Sequence, residues 1–369
     1  MSAFTRVSPG QSNTLKAPLR IVSIGGGTGL STLLGGLKRY ARGGQSGPVP
    51  GRPVVDITAI VTVTDDGGSS GRLRREFDIP PPGDIRNCMT ALSEDEHLLR
   101  HLFEYRFASG RGLKGHSFGN LFLAAMNGVT GDFAEAVKLS SEILAIRGRI
   151  FPSTRTNVTL EAELLDGTLV RGETNISKSR SAIKRILLTP EDCEPMPETI
   201  EAIMNADLIT LGPGSLYTSI VPNLLVKGLP EAIERSSAMK VYFVNLMWQP
   251  GETINFSASA HLLALQQHAE RRLIDTVVVN GATIAPSLKR KYAREKVKPV
   301  ENDLDNISSL GVKIVTADLV IDSAAGQEKI RHDPAALANV VVDLASRSRA
   351  HHVRKAALEA QQLKSARSK

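Results

Sequence analysis

Aromatic residues are scarce: ten Phe, five Tyr and one Trp make up 4% of the 369 residues. So few rings leave little material for a pocket that stacks a large planar cofactor. The two cysteines, Cys88 and Cys193, are too few and too far apart for a disulfide framework or a cysteine-rich zinc site, so a reducing, cytoplasmic setting is expected. No apolar run approaches the roughly 18 residues of a membrane-spanning helix. Residues 1–20 also lack the apolar stretch and small-residue cleavage site of a secretory signal. The body of the chain has no excess of positive charge either. The formal charge is +7, but residues 1–20 hold Arg6, Lys16 and Arg20 with no acid, and 347–369 hold seven basic residues against Glu359 alone, leaving −2 for 21–346. Nucleic-acid binding by the body loses its compositional support, and the basic C-terminal run reads as a solvated helix face.

An apolar content of 41% at this length is enough for a sizeable core. The apolar strand Arg20–Ile24 runs into a glycine cluster, and Leu30, Leu33, Leu34 and Leu37 then repeat at helical spacing. Residues 41–53 read as a flexible loop and Ile57–Val63 as a second buried strand. Helical patterns cover roughly 84–107 and 120–147. Thr156–Leu165 and Thr168–Thr174, joined by Asp166-Gly167, predict a hairpin, with a third strand over Ser181–Leu188; 151–190 is therefore expected as a small β insertion. Strands at Leu208–Leu211, Val241–Asn245, Thr276–Asn280 and Val312–Ala317 alternate with helices, and a terminal helix starts at Pro334. The expected fold is α/β: one Rossmann-like domain over 20–345, a mostly parallel sheet with helices on both faces. A disordered basic tail (1–19) and a basic helical tail (346–369) flank it.

Five short motifs carry the chemistry. Gly25, Gly26, Gly27, Thr28 and Gly29 sit between strand and helix, where backbone N–H groups and the helix dipole favour an anion. The register breaks the dinucleotide fingerprint, because Leu30 or Thr32 stands where its third glycine belongs. Asp65 and Asp66 follow the second strand, where open α/β sheets bind ligands, and as neighbours their side chains diverge. Asp84 is placed to cap the next helix. Arg86 and Asn87 in its first turn run against the dipole and suggest an anionic partner. Gly115-His116-Ser117-Phe118-Gly119 matches the serine-hydrolase elbow in letters, but a polar loop precedes it instead of a buried strand. His116, Ser117, Gly119 and Asn120 are expected to contact a ligand, not to hydrolyse one. Gly212, Pro213, Gly214 and Ser215 open a second anion-friendly helix after a strand.

These motifs, in this order and together with Asn245-Leu-Met-Trp-Gln-Pro-Gly-Glu252 and Arg331-His332-Asp333-Pro334, resemble the bacterial gluconeogenesis factor (YvcK-like) family, a branch of the 2-phospho-L-lactate transferase superfamily. The resemblance covers roughly 20–345. It implies a regulatory protein that binds a UDP-sugar, typically UDP-N-acetylglucosamine, and supports cell shape and envelope synthesis on gluconeogenic carbon sources. It also implies a protein partner in amino-sugar synthesis and admits a homo-oligomer. The ligand would meet the residues above, with Arg331 as a charged clamp. Two departures stand out: Trp248, where the family often has threonine, suggests an aromatic wall, and Ser259-Ala260-His261 leaves His261 without the family's acidic neighbour. Transferase relatives use their acidic pair to hold metal, so Asp65 and Asp66 are the candidates for Mg²⁺, which a binding protein does not require. A binding role is favoured over a catalytic one, and no catalytic residue is assigned.

Overall fold

The computed structural model describes residues 17–42, 49, 51–94, 96–179, 181–321 and 329–367. The expected tail 1–19 lies outside these residues except for its last three positions. Among the described residues there are ten strands: β1 Leu19–Gly25, β2 Val55–Val61, β3 Arg149–Pro152, β4 Thr159–Leu164, β5 Leu169–Arg171, β6 Ile183–Thr189, β7 Leu208–Leu211, β8 Met239–Phe243, β9 Thr276–Asn280 and β10 Lys313–Ala317. The helices before the insertion are α1 Gly27–Leu37, α2 Gly68–Phe77, α3 Gly83–Leu92, α4 Glu96–Glu104, α5 Phe118–Thr130 and α6 Phe133–Ile143. Then follow α7 Glu173–Ile176, α8 Pro197–Met204, α9 Val221–Leu224, α10 Leu229–Arg235, α11 Ala258–Ala269, α12 Pro286–Arg294, α13 Leu304–Ser309 and α14 Pro334–Arg367; a π-helical turn, Leu216–Ile220, precedes α9.

Seven strands form one sheet in the order β10-β9-β8-β7-β1-β2-β3, with every pairing parallel. Successive strand residues point to opposite faces. Ile21 through Gly25 and all four residues of β7 are nevertheless buried, so helices cover both faces at the centre. In register, Ile24 lies between Ile60 and Leu211, and burying such side chains stabilises the fold by about 1.5–3 kcal/mol each. The chain runs from β1 toward β2 and β3, then crosses back to β7 and builds outward through β8, β9 and β10. The order therefore reverses between β1 and β7, and loops leaving these strands part there to form a crevice.

Three boundaries differ from the sequence reading. Arg149–Pro152 pairs with β2 as the sheet's edge strand, so the insertion begins after Pro152. Its three antiparallel strands take the order β5-β4-β6, and β5 gives way to the short helix α7 where strand was expected through Thr174. The pattern at 84–107 is two helices, as is that at 120–147. The basic tail is not a separate element, because α14 runs unbroken from Pro334, and Arg349, counted among the solvated charges, is buried.

Candidate functional site

Loops at the carboxyl ends of β1, β2, β7 and β8 hold most of the motif residues. Gly26, extended at φ −167°, leads from β1 into α1 without a side-chain cap. A Cβ there would lie 2.5 Å from Thr62 Cγ2 and 2.6 Å from Asp84 Oδ2, so only glycine fits. Gly27 takes φ +59°, and its N–H donates to the Asp84 carboxylate. A Cβ on Gly29 would meet the Pro213 carbonyl oxygen at 2.3 Å: the first and last glycine turns touch backbone to backbone. Ser215 precedes the π-helical turn and accepts from Gln249 Nε2 at 2.6 Å, while Gln249 Oε1 accepts from Asn245 Nδ2 at 2.7 Å.

Asp84 is not the cap of α3. That helix starts at Gly83 behind Pro82 with no side-chain cap, and Asp84, in its first turn, crosses to α1 instead. The chain after Asp65-Asp66 winds at once into α2 at Gly68, a helix that the sequence analysis did not assign. Asp65 Oδ1 accepts from the Gly67 N–H at 2.8 Å, and its other oxygen and Ser70 Oγ crowd against Gly83. Asp66 turns the other way, accepting from the N–H (2.9 Å) and hydroxyl (2.6 Å) of Thr174 in the insertion.

Ser117 caps α5 and accepts from Arg86 Nη1 at 2.9 Å; Arg86 Nη2 donates to Asn87 Oδ1 at 2.6 Å. Asn120 Nδ2 donates to Ser70 Oγ at 3.2 Å. His116 Nδ1 is tied to Ser69 Oγ at 3.0 Å, and burial lowers its pKa. Arg86 Nε and Asn120 Oδ1 are buried with no partner among the described residues. A buried polar group left unmet costs about 1–3 kcal/mol, which a ligand or water would recover.

Carboxyl groups crowd this site. Burial, then the Asp65 charge, raises Asp84 to about 7 against the opposing Gly27 hydrogen bond. Burial also raises Glu252 to about 7, although its carboxylate accepts from the Tyr217 N–H at 3.1 Å and the Thr218 hydroxyl at 3.3 Å. Glu173 of α7 rises to about 9 through burial and the charges of Asp65, Asp84, Glu252 and Asp66. A carboxyl whose folded pKa exceeds its unfolded one stabilises fully below the unfolded value and loses that contribution as pH climbs through the folded value. Between pH 7 and 9, Glu173 is expected to lower stability by about 1.4 kcal/mol per pH unit. Melting temperatures should therefore fall over that window in the parent protein and flatten in Glu173→Gln; equal slopes in both would refute the protonated state. Among the described residues no three acidic, histidine or cysteine side chains converge to hold a metal, so no protein-built cage surrounds Asp65 and Asp66.

Arg331 is exposed, and its guanidinium has no partner among the described residues. Trp248 donates its indole N–H to the Phe256 carbonyl at 3.0 Å, and Lys298 lies 5.7 Å over its ring, so that face is already taken. His261 Nδ1 meets the Ser257 carbonyl at 2.8 Å, and Asp303, a distant residue in sequence, is the nearby acid. Sequence reasoning missed Ser70, Glu173, Thr174, Gln249 and Glu252 as site residues. Gln249 and Glu252 lay within a motif already noticed, whereas nothing marked Glu173 and Thr174, which sit in a segment that reads as strand.

Comparison with known proteins agrees with this architecture. The model of the 2-phospho-L-lactate transferase CofD family matches residues 21–320. The gluconeogenesis factor of Bacillus subtilis (strain 168) is 49% identical over 325 residues, 88% of this chain and 98% of that protein. That of Halalkalibacterium halodurans is 47% identical over 323 residues, 88% and 95% of the two chains. The crystal structure of a UPF0052 family member from Bacillus halodurans superposes with a TM-score of 0.81 at 46% identity, covering 88% of this chain and 99% of the other. The chain belongs to the CofD family and, within it, to the gluconeogenesis factor (YvcK-like) proteins.

Proposed function

We propose that the protein is a cytoplasmic regulator of gluconeogenic growth that binds a nucleotide sugar, UDP-N-acetylglucosamine, in the crevice between β1 and β7. The observation that carries this reading is the direct abutment of Gly29 on Pro213 and Gly214, which sets two strand-to-helix turns side by side at the point where strand order reverses. The N–H groups in the first turn of α1 beyond Gly27, whose own N–H is held by Asp84, and those of the following loops suit a diphosphate. Asp65, Asp66 and Asn120 suit the hydroxyl and acetamido groups of a hexose, and the unpartnered Arg86 Nε adds a donor. The ligand would alter a partner enzyme of amino-sugar synthesis, and so cell shape and envelope synthesis, by binding one conformation better than another. The relatives are named gluconeogenesis factors, which supports a role connected with gluconeogenesis. No helix of the described residues is long and apolar enough to cross a membrane.

Titration calorimetry with UDP-N-acetylglucosamine tests the proposal. Saturable binding is expected, weakened at least tenfold in Asp66→Ala and reduced in Arg331→Ala; no heat at millimolar ligand sinks it. A second reading, transfer of a phospholactate-type unit from a nucleotide-activated donor, is favoured by the carboxyl groups of Asp65, Asp66, Asp84 and Glu173 gathered in one site. Turnover of such a donor with Mg²⁺ would decide for it.

A further inference from the structure

A groove of about 800 Å³ runs along one face of the sheet, at the end away from the ligand loops. Arg20 pairs in register with Asp56 and Val22 with Thr58, so these side chains share one face, and Phe151 of β3 joins them. Residues of α6 and α8 flank this floor and leave it open between them, where a parallel sheet is ordinarily covered by a helix. The free charge in the groove is acidic. Its cations Arg20, Lys138 and Arg149 are each paired, with Asp207 at 3.7 Å, Glu135 at 3.8 Å and Asp56 at 3.0 Å. Glu142 on α6 and Glu198 and Glu201 on α8 are exposed and have no ion-pair partner among the described residues.

The opposite charge stands beside it. A recess of about 590 Å³ shares Arg20 and Asp56 with the groove and is also lined by Arg349, His352, Val353 and Ala356 of α14. From there α14 continues to Arg367, and its side chains over 354–362 are all exposed except the half-buried Ala357. The last 14 of its 34 residues make about 20 Å of helix. Within them Arg354, Lys355, Lys364 and Arg367 outnumber the one acid, Glu359. A solvated helix end is held only weakly, because most helical stability in proteins comes from a packed face.

We infer that two copies of the chain pair about a two-fold axis, with the basic end of α14 in each lying along the acidic groove of the other. A two-fold interface is self-complementary, so both halves of the match must belong to one patch of the surface. Groove and arm adjoin at Arg20 and Asp56 and meet that condition. A nucleic acid or an anionic membrane would answer the charge of the arm but not that of the groove. A basic peptide from another protein would fill the groove and leave the arm bare. A second copy satisfies both at once, and it covers the open sheet face with the helix that the fold lacks there.

Sedimentation velocity of the full chain at micromolar concentration tests the pairing, with Glu198→Lys/Glu201→Lys and Arg354→Glu/Lys355→Glu as variants. All four positions are exposed, and unchanged melting curves check that both variants are folded. The parent is expected to be a dimer whose dissociation constant rises at least tenfold in about 0.5 M salt. Each variant alone sets arm and groove of like sign against each other and should be monomeric. Mixed in equal amounts, the two variants should form a dimer, because each arm then meets a groove of opposite sign. A monomeric parent overturns the inference and leaves the groove to a different occupant. A dimer that both variants preserve, or a mixture of folded variants that stays monomeric, overturns it as well.

Discussion

Gly29→Ala is expected to lower the melting temperature and reduce nucleotide-sugar affinity at least tenfold, while Gly36→Ala lowers the melting temperature alone. Both glycines lie in α1, where alanine is ordinarily the better residue by about 0.8–1.0 kcal/mol. The surroundings reverse that preference. A Cβ on Gly29 would stand 2.3 Å from Pro213 O, 2.6 Å from Pro213 C and 2.8 Å from Gly214 Cα, all backbone atoms of the opposing turn that cannot rotate away. Relief requires the β7 loop to part from α1, and overpacking of this kind costs about 1–3 kcal/mol or more. Because the displaced atoms belong to the proposed diphosphate cradle, binding should fall with stability. A Cβ on Gly36 would lie 2.0 Å from Pro334 O, at the far end of α1 where α14 begins, so its substitution strains helix packing outside the cradle. Gly35 has nothing within 4 Å, and Gly35→Ala should stabilise slightly by propensity, serving as the internal control. Thermal melts paired with calorimetry separate the three. Full affinity in Gly29→Ala would mean that the contact between the two turns does not shape the ligand site.

The same contact explains what could be read from the sequence. Glycine where a strand ends and a helix begins is a local signal, and the turns after β1 and β7 are where residues 25–29 and 212–215 placed them. That the two turns touch depends on β1 and β7 being neighbours, which no local pattern encodes. Short or weakly periodic pieces were the ones misread. β3 has only four residues and shows no alternation long enough to distinguish it from the insertion behind it. α2 begins with Gly68, Ser69 and Ser70, poor helix formers in its first turn, so no helix was legible there. Asp84 looked like a cap because aspartate before a helix usually is one. Its actual partner, Gly27, lies 57 positions earlier and was brought close only by folding. Glu173 was invisible for the same reason: its neighbours Asp65, Asp66, Asp84 and Glu252 come from three other segments of the chain.

Arg349→Ala is expected to destabilise the protein by about 3–5 kcal/mol without changing ligand affinity. Composition put Arg349 in a basic tail, where a single charge is worth little, but the residue faces inward from α14. Its Nε and Nη2 donate to the two oxygens of Asp207 at 3.0 and 2.5 Å, and Nη1 and Nη2 reach the Ala17 and Pro18 carbonyls. The Arg349 and Asp207 side chains are only 10% and 8% exposed. Asp207 also accepts from the Arg20 N–H at 2.7 Å, so one carboxylate ties α14 to the starts of β1 and β7. Those starts lie at the end of the sheet away from the ligand loops, which is why binding should be spared. Removing the guanidinium leaves a buried carboxylate with only the half-exposed Arg20 guanidinium, 3.7 Å away, as counter-charge, and that poorly compensated ion, more than the lost attraction, sets the size of the effect. The double variant Asp207→Asn/Arg349→Met keeps an acceptor for Arg20 N–H and fills part of the space with no buried charge; it should recover much of the loss. Urea unfolding of the parent, the single and the double variant measures each quantity. The deficit of Arg349→Ala should persist in 0.5 M salt, since a dry pair is screened far less than a surface one. A deficit below about 1 kcal/mol, or one that salt erases, would instead mean that water reaches the pair and that α14 is held to the sheet by its apolar face alone.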